Sequence, residues 1–151
     1  MAGQVSQLQA SDRERWTLLW SQYLEFYDTS LPSQVYENTW KRIIAKSSGL
    51  RAFGARDSDG GAPLVGIVHF LYYESAWTTR EVCHLQDLYV DPAHRGRGFG
   101  LQLIEAVANA ARVRSCDKLY WLTHESNAAA RSLYDAVGHY SGFVRYDLPL
   151  G

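Results

Sequence analysis

The sequence predicts an α/β domain in which a twisted mixed sheet follows two helices and is completed by a strand–helix–strand unit. Three observations carry that prediction. Two segments with apolar residues at three- and four-residue spacing come first, a run of strand-like segments follows, and beyond residue 91 helical and strand-like segments alternate. With 151 residues and 46% hydrophobic content, the chain is expected to be a single domain, residues 1–151, with a proper core.

The first helix is expected in "SDRERWTLLWSQYLEFY", with Ser11 as N-cap and Trp16, Leu19, Tyr23 and Phe26 on one face. The second is expected after Pro32 in "LPSQVYENTWKRIIA", with Ser33 as cap and Val35, Trp40, Ile43 and Ile44 apolar. "LRAFGAR" and "PLVGIVHFLYYE", joined by the turn-rich "DSDGGA", read as a β-hairpin, and "REVCHLQDLYV" as a third strand. Helix "FGLQLIEAVANAARVR", strand "KLYWLTH", helix "SNAAARSLYDAV" and a last strand "GFVRYDLPL" complete the order. The strands around residues 85–90 and 118–123 flank one crossover helix and should be parallel neighbours.

Between them lies "DPAHRGRGFG", with Gly96, Gly98 and Gly100 at every second position directly before a helix. A glycine costs about 1 kcal/mol relative to alanine in a helix, so three together point to a backbone that a ligand approaches closely. Amides of such a turn, with the positive end of the helix dipole behind them, form a phosphate cradle at the carboxyl end of a strand. Arg95 and Arg97 add charge beside it. A Walker site would need Lys and Ser or Thr after the last glycine, where Leu101 stands. A dinucleotide fingerprint would need different glycine spacing, in the first βα unit, and an acidic strand end about twenty residues on.

"RGRGFG" fits Arg/Gln-x-x-Gly-x-Gly/Ala. With "LQDLYVDPAHRGRGFGLQLI" and "YWLTHESNAAARSLYDAVG" in order, the chain resembles the GNAT superfamily of acetyl-CoA-dependent N-acetyltransferases, most of all its yeast Hpa-type and diamine-acetylating branch. The resemblance runs over nearly the whole chain and implies the GNAT acyl-CoA N-acyltransferase fold. It implies that the amides of Arg95, Gly96, Arg97, Gly98, Phe99 and Gly100 hold the coenzyme A pyrophosphate. It also implies that Leu88, Tyr89 and Val90 run beside the pantetheine arm, that Asn127 contacts the coenzyme and that Tyr134 protonates the departing thiolate. Asn127, Arg131 and Tyr134 share one helix face by spacing, with Ala130, Leu133 and Val137 toward the core, and Arg131 is a further candidate for coenzyme binding.

The reaction implied is direct acetyl transfer from acetyl-CoA, a cosubstrate, to a primary amine, with no metal. No Cys, Ser or His constellation suggests a covalent acyl-enzyme. An alkylamine with pKa near 10.4 is neutral about once in 2,500 molecules at pH 7, a deficit of roughly 4.6 kcal/mol that calls for a base or a desolvated pocket. The diamine-acetylating relatives carry Glu-Asp where this chain has Gln86-Asp87. Gln86 cannot accept a proton, so Asp87, directly or through a water on Gln86, is the leading candidate, with His84, Glu74, His124 and Glu125 behind it. Strand alternation puts Gln86 and Asp87 on opposite faces, a parity that a bulge would break. After the second helical motif, "GHYSGF" opens the compact Gly-Phe of the family.

Glu25, Asp28 and Glu37 interleave with Tyr23, Phe26, Tyr27, Tyr36 and Trp40, a pattern suited either to an extended cation or to an aromatic core face backed by a solvated acidic one. The expected acceptor is a small cationic amine, polyamine-like or amino-acid-like. A protein lysine, or a coenzyme-binding regulatory domain without turnover, are the alternatives. A net charge of −1 gives no footprint for nucleic acid, and the longest apolar run is about half the ~20 residues of a membrane span. The N-terminus lacks the pattern of a secretory signal, and Cys83 and Cys116 read as reduced. A cytoplasmic enzyme is expected, and relatives commonly form homodimers.

Overall fold

A computed structural model describes residues 4–58 and 61–151; Asp59 and Gly60, in the expected hairpin turn, lie outside the described residues. The elements are β1 (Gln4–Gln7), α1 (Arg13–Phe26), α2 (Ser33–Ala45), β2 (Leu50–Arg56), β3 (Leu64–Glu74), β4 (Glu81–Val90), α3 (Phe99–Val113), β5 (Leu119–Trp121) and α4 (Ala128–Val137). The strands lie in chain order in one sheet. The first three pairings are antiparallel and β4–β5 is parallel, as the crossover through α3 requires. The mixed α/β architecture is the one the sequence predicts.

Two cores sandwich the sheet. On one face Trp16, Leu19, Trp20 and Leu24 of α1 and Trp40 and Ile43 of α2 pack with Ala52, Ile67 and Tyr89. On the other, Phe99, Leu103, Ile104, Val107 and Ala111 of α3 pack with Val68, Phe70, Cys83 and Leu85. The helix spacing read from sequence therefore sorts each helix to its face, although Phe26, at 60% exposure, lies off it.

Several boundaries differ from expectation. β1 pairs with β2 through the polar stretch "QVSQ", where one valine gives too little alternation to mark a strand. Asp12, not Ser11, occupies the N-cap of α1; its carboxylate accepts the Gln9 N–H at 2.8 Å and pairs with Arg56 at 2.6 Å. Pro32 precedes α2 and Ser33 is its first residue, because proline fixes the extended entry. Val137 is exposed rather than turned to the core, since α4 buries only one edge, through Leu133 and Tyr134. The expected last strand does not form: residues 139–151 have neither helix nor strand. Strand formation needs a partner edge, and the alternation in "GFVRYDLPL" supplies only one side of such a pair.

Candidate active site

The site grows from the way β4 parts from its neighbours. Parallel pairing with β5 spans Cys83↔Leu119 to Leu85↔Trp121 and goes no further, so β4 from Gln86 to Val90 faces a gap in the sheet on that side. At the same point β4 is bulged: His69 of β3 stands opposite Asp87, while the next residue, Phe70, stands opposite Leu85, leaving Gln86 as the extra residue. The bulge reverses parity. Cys83 and Leu85 face the α3 core, yet Tyr89, at the same odd spacing, packs in the α1 core. Asp87 is thereby turned to the α1 side, and Gln86 is left exposed.

The end of β4 leads into the glycine turn. Asp91 ties the turn down: its N–H donates to Val65 O at 2.8 Å, and its carboxylate meets the His94 ring at 3.1 Å and Arg15 at 3.4 Å. Gly96 and Gly98 have φ of +78° and +88°, in the region that only glycine enters freely. A Cβ at Gly96 would meet nothing within 4 Å, so its left-handed φ, not crowding, demands glycine, and the backbone lies open to a ligand. Gly98 caps α3, whose unpaired first-turn amides and dipole face the same opening. These features fit a pyrophosphate. Phe99 is 3% exposed, so only its amide could serve a ligand. Gly100 packs toward Leu133 of α4. Arg95 lies over the Tyr89 ring and donates to Val90 O, and Arg97 is paired with Asp57 at 3.2 Å.

Across the gap stands α4. Asn127 is its N-cap, accepting the Ala130 N–H at 3.3 Å through Oδ1, which leaves the side-chain NH₂ for other partners. Tyr134 packs edge-on against Trp121 of β5 at 5.6 Å. Burial pushes its phenol above the ordinary tyrosine value, and Tyr27 of α1 adds to the shift, which places the C-terminal end of α1 near Tyr134. Arg131 donates to Glu125 O at 3.0 Å and lies over the Tyr140 ring, contacts that hold the loop ends around α4.

The aromatic residues of α1 close the acceptor side. Tyr23 stacks on Trp20, Tyr23 and Tyr27 lie 5.0 Å apart, and Tyr27 lies 5.3 Å from the His124 ring. The Tyr23 phenol is pushed far up, first by burial and then by the negative charge of the nearby Asp87 carboxylate. On the same β4 face, His84 packs on Tyr120; burial drives its pKa down, against the pull of Asp87, so its ring is neutral at pH 7. Glu74 is at the far end of the hairpin, opposite Glu81, away from this constellation. The second acidic and aromatic cluster also falls elsewhere: α2 packs on β2, Trp40 is buried in the core and Glu37 pairs with Lys41 at 3.4 Å on the solvent side.

The family described as the acetyltransferase (GNAT) family matches residues 13–139. This chain belongs to the GNAT acetyltransferase family. It is an N-acetyltransferase. Among its GNAT relatives, the D-amino-acid N-acetyltransferase HPA3 of Saccharomyces cerevisiae is 32% identical over 94% of this chain and 88% of its own. The thialysine N-epsilon-acetyltransferase of Bos taurus is 37% identical, over 48% of this chain and 41% of its own. The same fold is found in the aminoglycoside acetyltransferase AAC(6')-Iy bound to a CoA bisubstrate analogue, with a TM-score of 0.83, 19% identity and full coverage of both chains.

Within this GNAT site one residue escaped the sequence reading. His69 is 2% exposed, and its ring joins Trp16 of α1 to Asp87 of β4. The signal was present: "LVGIVHFLYY" is apolar but for this one polar side chain, which shares the face of Ile67 by strand parity. Among the described residues, no group of His, Cys, Asp and Glu is arranged to hold a metal ion, and no helix is long and apolar enough to cross a membrane.

Proposed function

We propose that this enzyme transfers the acetyl group of acetyl-CoA directly to the amine of a small, cationic, amino-acid-like acceptor, in the cytoplasm and as a homodimer. The observation that supports the reading is the gap between β4 and β5 beyond Leu85, with the open glycine turn at the end of β4, Asp87 following the β4 bulge and Tyr134 of α4 against Trp121 of β5. In it, Arg95 to Gly100 bind the pyrophosphate through backbone amides, Leu88 to Val90 offer free backbone groups to the pantetheine amides, and Asn127 and Arg131 border the coenzyme from α4. The amine nitrogen attacks the thioester carbonyl carbon, the carbon–sulfur bond breaks, and the Tyr134 O–H gives its proton to the departing thiolate. The ammonium proton is lost beforehand to Asp87, directly or through a water on Gln86. The nitrogen sheds a second proton as the amide forms, which restores the phenol. Direct transfer is supported by Cys83, whose thiol is buried and pushed up to about 12, where it is no nucleophile at neutral pH.

An amino-acid-like acceptor is supported by the names of two relatives, which act on D-amino acids and on thialysine. Tyr23, Tyr27 and Asp87 suit its ammonium group by ring faces and charge. The test is a panel of D-amino acids, thialysine, spermidine and a lysine peptide, read by release of free coenzyme A. Fastest turnover with the peptide would move the acceptor to protein, and no release with any amine would leave a coenzyme-binding domain. In thermal shift assays, acetyl-CoA at 100 times its dissociation constant is expected to add about 2.7 kcal/mol, with no shift from ATP or NAD. Equal shifts from all three would overturn the coenzyme assignment.

The homodimer is supported by the C-terminal segment. Val144, Tyr146, Leu148 and Leu150 recur at every second position, as in a strand that would bury one face, and Tyr146 and Leu150 are 91% and 92% exposed. A second copy of this chain, with the same segment and the same open β5 edge, is the partner such an apolar arm fits. Light scattering should therefore give a dimer for the full chain and a monomer for V144D/L148D. A monomer at all concentrations of the full chain would remove the arm from the assembly.

A further inference from the structure

Three polar or charged residues among the described residues are buried: Asp12, Thr39 and, most deeply, His69. Asp12 is accounted for by its pair with Arg56 and the entry to α1, and Thr39 by the Arg42 guanidinium, which donates to its hydroxyl. His69 accepts the buried Trp16 indole N–H, but its second ring nitrogen is committed to Asp87 of β4, a bond that the packing of α1 does not require. A hydrophobic residue on β3 would fill the same volume between Trp16, Trp20 and the sheet and would leave the Trp16 N–H without this partner.

Its hydrogen bonds leave no freedom of tautomer. The Trp16 indole is only a donor, and Trp16 Nε1–H meets His69 Nε2 at 3.0 Å, so Nε2 must be the acceptor. Nδ1 therefore carries the hydrogen and donates it to Asp87 Oδ2 at 3.0 Å. Trp20 stands edge-on to the ring at 4.7 Å and Trp16 lies 6.0 Å away, a cage in which the imidazole cannot turn over without losing both bonds. A second proton on Nε2 would set two donors against each other in that cage. His69 is thus built as a fixed donor and not as a proton carrier. What it fixes is the carboxylate that follows the β4 bulge, whose extra residue loosens the ladder where Asp87 needs a definite direction.

We propose that His69 is a positioning residue for the acceptor amine: locked by Trp16, it holds the Asp87 carboxylate on the α1 face of the sheet, beside the place where β4 parts from β5, and so sets the affinity for the cationic acceptor. The inference rests on the reading of Asp87 as the group that meets the amine. His69 thus ties that carboxylate to β3 and, through Trp16, to α1. Any shift of α1 along the sheet would then be felt at Asp87 through Trp16.

The lock has a spectroscopic signature that does not depend on turnover. Imidazole ¹⁵N–¹H correlation spectra of the full chain at neutral pH, with the signal assigned by its loss in His69→Leu, should show a protonated Nδ1 and a bare Nε2. Trp16→Phe keeps an aromatic ring at that position and should shift the Nε2 resonance. In steady-state kinetics with the best amine of the panel, His69→Leu should raise KM for the amine at least about tenfold and leave KM for acetyl-CoA within about twofold. In an Asp87→Asn background His69→Leu should add nothing further. Should His69→Leu fail to fold, Trp16→Phe is expected to raise the same KM selectively. A protonated Nε2, or an unchanged amine KM in the folded variant, overturns the role of His69. If Asp87→Asn weakens transfer while His69→Leu does not, His69 alone fails; if neither changes the amine KM, the reading of Asp87 falls with it.

Discussion

Replacing Tyr134 by phenylalanine is expected to lower turnover about 10²-fold while leaving acetyl-CoA affinity nearly unchanged. The ring keeps its edge contact with Trp121, so the substitution removes one hydroxyl and little packing. The size of the effect follows from the acid strengths. A thiol of pKa about 8.5 is a stronger acid than a phenol of about 10, and burial pushes Tyr134 higher still. Full proton transfer from Tyr134 to a thiolate stays uphill even after the carbon–sulfur bond has broken, and is completed only as the nitrogen proton restores the phenol. Its contribution is therefore a hydrogen bond that strengthens as charge develops, placing the loss at the low end of the 10²–10⁴ range for general acids. The raised pKa also fixes a sign. Burial raises Tyr134 above the ordinary phenol value, so turnover should rise with pH as the amine loses its proton and show no descending limb below about pH 10. Wild-type turnover in Tyr134→Phe would make the tyrosine a packing residue.

The glycine turn was legible because it combines two local signals, a backbone that needs positive φ and a helix that starts directly after it. Both act over a few residues. The order of β2, β3, β4 and α3 was legible for the same reason, since periodicity marks an element that buries a whole face. β1 and the C-terminal segment failed at opposite ends of that rule. "QVSQ" pairs with β2 by backbone hydrogen bonds that its polar side chains do not advertise, while "GFVRYDLPL" has the alternation of a strand but pairs with no strand among the described residues. The half of the site proposed to meet the amine lay between these cases. Resemblance placed Asp87 in the site, but its direction depends on one inserted residue in β4, and that bulge is specified by long-range pairing with β3 rather than by the residues of β4 themselves. His69 went unread because a lone polar residue in an apolar strand gains meaning only when Trp16 and Asp87, distant in sequence, are brought to its two nitrogens.

Asp87→Asn is the second substitution with a large expected effect, a fall of about 10- to 100-fold in kcat/KM for the amine at neutral pH. Asparagine has nearly the same shape and can still accept the His69 Nδ1–H through its amide oxygen, so the clamp survives while the charge is lost. A cationic amine then loses both its counter-charge and its proton acceptor. The defect should shrink as pH rises, because a growing share of the amine is already neutral in solution and no longer needs either. His84 offers the competing route. Burial keeps its ring neutral at pH 7, so it too can take a proton, and it lies on the same face of β4 within electrostatic reach of Asp87. The two are separated by their profiles: an unchanged pH dependence in Asp87→Asn with a flattened one in His84→Ala would move the base to the histidine. No change in either would mean that water entering the gap beside exposed Gln86 removes the proton unaided, and that the bulge in β4 serves to admit that water.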